Sequence, residues 1–317
     1  MQDSKLKNRQ IPAEPLVSIC PVGRVFFLPE KEDYAWEVKK NQRIVRQQRR
    51  LGREIALVMG VGSVGAVMEG VIEDTVDSTS GEPTKFAIGM QRPSTRSFWK
   101  ISYLNQGLAP VEAEDPEVAP LISRCIKEKK TLIATFIYEA EAPSLADVVV
   151  VDVQCNYYKE SLHDLENGYA DIKALEESLK IIREMVIPNC LILIETTIPP
   201  GTTEYIAYPI IKKSFEEWDP ETEPLLAHSF ERVMPGREYV ASIRGFWRAC
   251  SGINETARER VKRFLSEVIH VEKYILTVLE LPIESETCKI VENSYRATHS
   301  GHRLLGSIGR CEDSKNY

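Results

Sequence analysis

The chain has 317 residues, 43% of them hydrophobic and 27% charged, with a formal net charge of −7. That length allows two domains and a sizeable core, and the composition is ordinary for a soluble globular protein. The acidic balance argues against a general nucleic-acid binder, and no apolar run approaches the length of a membrane span. The cysteines, Cys20, Cys125, Cys155, Cys190, Cys250, Cys288 and Cys311, are dispersed, with no Cys-x-x-Cys pair. They indicate no zinc or dithiol motif and read as free thiols in a reducing compartment. The polar N-terminus lacks the apolar core of a signal peptide, so the expected location is cytoplasmic.

Residues 1–52 read as an extension outside the main fold. Short strands are expected at 17–20 and 24–28, then a helix over 33–53. Its Lys39, Lys40, Arg43, Arg46, Arg49, Arg50 and Arg53 read as a solvated charged face.

The most informative stretch follows. An apolar run at 55–59 leads into Gly60-Val-Gly-Ser-Val-Gly65, and an amphipathic segment at 66–76 comes next. This is G-x-G-x-x-G between a strand and a helix, the context a dinucleotide-binding turn requires. Gly60 permits the tight turn, Gly62 lets a pyrophosphate approach the backbone, and Gly65 lets helix and strand pack closely. Backbone groups of Val61, Ser63 and Val64 complete the cradle, and the helix N-terminus offers N–H groups and a positive dipole end.

A polar turn at 77–83 and a second strand at 85–89 follow. The residue closing that strand meets the adenosine ribose, where an acid favours NAD. Here Gln91 is placed to hydrogen-bond a ribose, and Arg92 either binds a 2′-phosphate or faces solvent. Helices are expected at 96–106 and 117–129, separated by an acid- and proline-rich loop at 109–116, and a strand at 131–137. The β-branched run at 146–154 reads as a buried parallel strand. It ends in the polar Gln154-Cys-Asn156, where ligands of open α/β sheets lie. An amphipathic helix over 171–185 and a buried strand over 189–195 follow, closing in Glu195-Thr-Thr-Ile-Pro-Pro-Gly-Thr-Thr-Glu204. Thr203 reads as an N-cap. Strands at 225–230 and 248–251 and a helix from Asn254 to about 268 lead to an extended 273–276. A helix over 281–298 carries Glu286, Lys289, Glu292 and Asn293. The alternation predicts a Rossmann-like, doubly wound, mainly parallel α/β sheet over 53–250, then the start of a long helix.

Four stretches carry a family resemblance: Gly60 to Gly65, Glu195-Thr-Thr-Ile-Pro-Pro-Gly-Thr-Thr203, Ser229-Phe-Glu-Arg-Val-Met-Pro-Gly236 and Glu286-Thr-Cys-Lys-Ile-Val-Glu-Asn-Ser-Tyr-Arg296. In order and spacing they resemble the UDP-glucose/GDP-mannose dehydrogenase family, the nucleotide-sugar 6-dehydrogenases of polysaccharide biosynthesis. The resemblance implies an NAD-binding Rossmann-like domain, a central helix through which the family usually dimerises, and a second domain for the nucleotide sugar. It also implies oxidation of a sugar C6 alcohol to the carboxylate with two NAD, through a thiohemiacetal and a thioester on a cysteine. Thr197 then resembles the threonine that positions a water. Glu231 resembles the glutamate acting on the thioester, with Phe230 where the family has proline. Lys289 and Asn293, four apart on one helix face, resemble the oxyanion-stabilising pair. Val153, Gln154, Thr196 and Thr197 stand where the cofactor lies. The stretch Arg96-Ser-Phe-Trp-Lys100 and the loop at 109–118 resemble the subgroup acting on UDP-N-acetylhexosamines.

The resemblance stops after Thr298. Three glycines fall within the nine residues 301–309, and no Cys-x-Pro-Lys-Asp segment occurs. Residues 251–298 therefore read as the end of the cofactor domain with the start of the central helix, and 299–317 as a disordered tail outside the family. Two readings stand: a C-terminally truncated UDP-sugar dehydrogenase, weakly active or inactive, and a catalytically dead NAD-binding module with a dimerising or regulatory role.

Overall fold

The computed structural model describes residues 16–137, 141–159, 161, 168–219, 221–230 and 236–313. Strands β1 (Val17–Ile19) and β2 (Val25–Phe27) form a hairpin, followed by helix α1 (Lys31–Arg50). The first half of the main unit is β3 (Glu54–Met59), α2 (Ser63–Glu73), β4 (Lys85–Met90), α3 (Phe98–Asn105), α4 (Val118–Ser123) and β5 (Leu132–Thr135). The second half opens with β6 (Val148–Val151) and a small hairpin, β7 (Asn156–Tyr158) with β8 (Tyr169–Asp171). Then come α5 (Lys173–Met185), β9 (Leu191–Ile194), a π-helical turn at Thr203–Ala207, α6 (Tyr208–Trp218) and β10 (Leu225–Ser229). Helix α7 (Tyr239–Gly245), β11 (Ala249–Gly252), α8 (Glu255–Val268), β12 (Thr277–Val278) and α9 (Pro282–Asp313) complete the order.

The main sheet has eight strands in the order β12-β11-β10-β9-β6-β3-β4-β5. The run from β5 to β10 is parallel throughout, and β11 turns back antiparallel on β10. This is a doubly wound Rossmann-like sheet whose order reverses between β3 and β6, the point where such folds bind ligands. The sheet reaches beyond the expected limit at 250, because β11 and the short β12 extend its edge.

Residue alternation along β3 splits the core in two. Ala56 and Val58 join a buried cluster with Val67, Leu121, Val240 and Phe264 of α2, α4, α7 and α8. Ile55, Leu57 and Met59 join the opposite cluster with Val45, Leu175 and Ile211 of α1, α5 and α6.

The place of Val45 in the second cluster corrects the reading of residues 1–52 as lying outside the fold. Among the described residues, the connection from β5 to β6 forms one short turn, Pro143–Leu145, and supplies no helix to the second face. Helix α1 covers that face instead. Val45 is buried in the cluster, Asn41 Nδ2 donates to Thr135 Oγ1 at 2.9 Å, and Arg49 pairs with Asp147 at 2.8 Å. Only the opposite side of α1, with Lys39, Arg43, Arg46 and Arg50, is the solvated face expected. The hairpin is also held to the fold: Trp99 N of α3 donates to Ser18 Oγ at 3.2 Å, and Tyr103 OH to Cys20 Sγ at 3.2 Å.

Two local expectations are corrected and one is met. Thr203 is not an N-cap; its hydroxyl donates to Glu286 Oε1 at 2.6 Å. Helix α9 does not end at Thr298 but runs to Asp313. Each helical glycine costs only about 1 kcal/mol against alanine and keeps its N–H, and no proline interrupts 283–313. Asn254 does cap α8, its side chain accepting from Ala257 N at 2.8 Å.

Helix α2 carries two buried acids toward β4. Glu73 Oε1 accepts from Ala87 N at 2.9 Å. Glu69 is fully buried, and neither of its carboxylate oxygens finds a hydrogen-bond donor. A β-carbon at Gly89 would lie 2.5 Å from Glu69 Oε2, so that glycine makes the space the carboxyl occupies. Burial, and then the Asp152 charge, push Glu69 well above the ordinary carboxylate range.

Glu69 therefore contributes stability that is complete below the unfolded carboxylate pKa and is lost as the pH climbs through the raised folded value. Glu69→Gln removes that loss, flattening the pH dependence of stability by up to about 1.4 kcal/mol per pH unit above pH 4.5. Urea unfolding midpoints between pH 4.5 and 7.5 measure it, and parallel curves for the two proteins would refute the buried neutral acid. For α1, Val45→Ala is expected to cost about 1–2 kcal/mol and Arg46→Ala less than about 0.5. Equal, negligible losses would show that α1 does not cover the sheet.

Candidate functional site

The turn after β3 shows three glycines with three different reasons. Gly60 has a φ of +114°, and a β-carbon there would lie 2.2 Å from the carbonyl oxygen of Asp152. At Gly65 a β-carbon would lie 1.9 Å from the Gly60 carbonyl oxygen. Gly62 differs: its backbone is extended, and nothing stands within 4 Å of the position its β-carbon would take. The first two glycines let β3, α2 and the end of β6 close on one another. The third faces open space at the N-cap of α2, where free N–H groups and the helix dipole favour an anion. Ser63 opens α2, Val64 is half-buried, and Val61 is fully buried.

The end of β4 grips this turn. Gln91 Oε1 accepts from Val61 N at 3.0 Å, and Lys100 Nζ of α3 donates to Val61 O at 3.3 Å. Both backbone groups of Val61 are thus satisfied by side chains from the next strand and helix. Gln91 Nε2 reaches Ser97 Oγ at 3.4 Å. Arg92 turns away and pairs with the exposed Glu177 at 2.9 Å.

Across the crevice, Thr196 ties β9 to β6. Its Oγ1 accepts from Val153 N at 3.0 Å and donates to Val153 O at 2.8 Å. Thr196 is therefore a buried strand-end clasp. Gln154 is exposed and donates to Asn156 Oδ1 at 2.7 Å, and Thr197 is half-buried at the end of β9. The β6 and β9 ends thus form the wall opposite the glycine turn.

Helix α9 enters the site through two anchors. The Glu286 carboxylate accepts from Gly201 N at 2.5 Å and from Thr203 N at 2.8 Å, besides the Thr203 hydroxyl. It thereby supplies the acceptor for the helix that starts after the Pro-Pro-Gly turn. Burial still lifts its carboxyl above the usual range, against the pull of these donors. One residue earlier, Ser285 Oγ shares hydrogen bonds with His228 Nδ1 at 2.6 Å and with Ser251 Oγ at 2.7 Å. Burial pushes His228 down to about 3, with the Lys289 charge adding to the shift, so this network is neutral at physiological pH. Lys289, one turn beyond Ser285, is buried, with its ammonium 5.5 Å from the centre of the Phe230 ring. Asn293 lies one further turn along and is exposed. Glu231 lies outside the described residues.

Sequence reasoning missed His228, Ser251, Ser285 and the buried pair Arg248–Glu195, whose atoms are 2.7 Å apart. Glu195 opens the quoted 195–203 stretch without a role of its own there, and the others stand in no spaced motif. The available signal was polar residues in or beside strands that otherwise read as apolar, which Ser285, on α9, does not give.

Comparison with known proteins follows the same lines. Residues 96–265, just over half of the chain, match the model of the UDP-glucose/GDP-mannose dehydrogenase family, NAD binding domain. UDP-N-acetyl-D-mannosamine dehydrogenase of Pyrococcus horikoshii is 25% identical over 197 residues, which cover 62% of this chain and 42% of that protein. The crystal structure of NDP-N-acetyl-D-galactosaminuronic acid dehydrogenase from Methanosarcina mazei Go1 superposes with a TM-score of 0.65 at 27% identity, covering 82% of this chain and 50% of that one. GDP-mannose dehydrogenase of Pseudomonas aeruginosa shares the fold, with a TM-score of 0.59 at 17% identity, covering 77% of this chain and 50% of that one. The chain thus spans about half the length of these relatives. With the β3–α2 turn, the switch-point sheet and a match over more than half of its residues, the chain belongs to the UDP-glucose/GDP-mannose dehydrogenase family.

Proposed function

We propose that the chain binds a nicotinamide dinucleotide in the crevice between β3 and β6 and takes part in oxidising a nucleotide sugar at its C6 alcohol. The observation that carries this reading is the glycine turn. Two of its glycines admit no side chain, and the third leaves the N-terminus of α2 open. That is the donor set and the clearance a pyrophosphate needs, so the residues present fit the group.

When bound, the dinucleotide supplies the hydride acceptor. The residues of the chain bind, orient and stabilise. The backbone at 62–65 holds the pyrophosphate, Gln91 faces the adenosine ribose, and Val153, Gln154, Thr196 and Thr197 border the nicotinamide half. Lys289 stabilises the developing oxyanion, since a buried ammonium acts in a low dielectric where its field is strong. Asn293 adds a donor on the same helix, Thr197 orients a water, and Glu231 acts on the hydrolytic step. The relatives' names support a UDP-N-acetylhexosamine as the sugar. A homodimer through α9, whose Val291 and Tyr295 are exposed, and a cytoplasmic location complete the proposal.

Calorimetric titration of the chain with NADH and NADPH is the first test, and no binding of either at millimolar concentration would refute the reading. Gly62→Val is expected to keep the fold and to weaken binding at least about tenfold, because its side chain would enter the phosphate space. Gly65→Ala is expected to lose about 1–3 kcal/mol of stability by forced overpacking. Equal effects of the two on stability would contradict the division of roles. Absorbance at 340 nm with a UDP-N-acetylhexosamine tests the chemistry. The family reaction reduces two dinucleotides per sugar, and a ratio of one would exclude oxidation to the carboxylate.

A further inference from the structure

We propose that the adenosine end of this site is built for a 2′-phosphorylated dinucleotide, NADP(H), in preference to NAD(H). The inference rests on the dinucleotide reading above and concerns the residues that follow β4.

In this fold the end of the second parallel strand faces the adenosine ribose. A carboxylate there accepts from the 2′-hydroxyl and repels a 2′-phosphate, whereas a cation accommodates the phosphate. The position is held by Gln91, and its geometry limits what it can offer. Oε1 is taken by the Val61 N–H at 3.0 Å, so the amide is fixed with Nε2 turned toward Ser97. One of the two lone pairs of Oε1 is thus used, and, unlike a carboxylate, the amide carries no charge to repel a 2′-phosphate and still has an N–H to donate.

The surroundings supply more donors and, among the described residues, no acid that pairs with Arg96 or Lys100. Ser94 Oγ and Ser97 Oγ lie 2.7 Å apart beside the amide. Arg96 is exposed, and no carboxylate pairs with its guanidinium among the described residues. Lys100 is half-buried with its ammonium on the Val61 carbonyl, and it too has no carboxylate partner among the described residues. Burial, and then the neighbouring Arg96 charge, hold Lys100 below its ordinary range, as expected of two cations with no anion between them. In sequence, no Asp or Glu occurs from Pro83 to Val111, although the whole chain holds 47 acids. Glu177, which reaches the residues after β4, is engaged by Arg92. One guanidinium, one ammonium and an amide N–H form a donor set for a phosphate dianion, beside the Ser94 and Ser97 hydroxyls, which bond each other and the Arg92 carbonyl. For an unphosphorylated ribose the same set leaves two cations without a counter-charge.

The test compares NADPH with NADH, and adenosine 2′,5′-bisphosphate with ADP, by calorimetry on the full chain. NADPH is expected to bind at least about tenfold tighter, with the preference shrinking as salt rises. Arg96→Ala, at an exposed position, is expected to remove most of that preference while changing NADH affinity less than about twofold. NADH binding as tightly as NADPH, or Arg96→Ala weakening both alike, would overturn the inference and leave the dinucleotide reading standing. Failure of both dinucleotides to bind would overturn the two together.

Discussion

The candidate site depends on a steric constraint in the backbone. Strand β3, the turn and α2 close so tightly that Gly65 would place a β-carbon 1.9 Å from the Gly60 carbonyl oxygen, while Gly60 meets the end of β6. Side chains at these two positions would push α2 away from the sheet and β3 away from β6. With glycine at both, the first turn of α2 stands over the point where the strand order reverses. Binding chemistry at that point then needs no charged residue in the turn, because the N–H groups and dipole of α2 supply it. Gln91 and Lys100 hold the Val61 amide from the far side, so the loop is fixed at both its backbone groups. The hairpin reinforces this at a distance, since it packs on α3, which carries Lys100.

Much of the fold was legible before any coordinates. The β-branched run of β6, the apolar run of β3 and the G-x-G-x-x-G spacing each report a local requirement, and local requirements leave local patterns. Asn254 was legible for the same reason, because a cap and its helix are neighbours in sequence. The role of α1 was not. Its charged residues announce the exposed side, while the fully buried positions are polar apart from Val45: Glu37, Asn41 and Gln48. Val38 and Ile44 pack beside Val45, but so few apolar residues make a narrow stripe, and what they cover, a sheet surface left bare between β5 and β6, is a fact of topology. Helix α9 runs past its glycines because their cost per residue is small beside the cooperativity of a helix already begun, so glycine spacing does not mark its end.

In the site, backbone roles were legible and side-chain pairings were not. The glycines, Asn254 and the position of Gln91 follow from spacing. The partners of Glu286 lie more than eighty residues away, as the separations of 83 and 85 to Thr203 and Gly201 show. His228 and Ser285 are separated by 57. Nothing in a single sequence couples such positions. Arg92 illustrates the converse: its type suggested a phosphate ligand, but Glu177, from a helix far along the chain, claims it.

These remote pairings explain how α9 brings a buried cation to the site. Glu286 and Ser285 are neighbours on the helix, yet they grip different elements: the helix start after the Pro-Pro-Gly turn, and the inner strands β10 and β11. Two anchors on separate elements fix both the depth and the rotation of the first turn. Lys289 is one turn beyond Ser285 on the same face, so its position follows from the anchoring. Holding an ammonium in that place costs desolvation, and a charged histidine beneath it would add repulsion. The depressed pKa of His228 keeps that neighbour neutral, and the Phe230 ring offers its negative face to the ammonium. The network beneath Lys289 is therefore uncharged by construction.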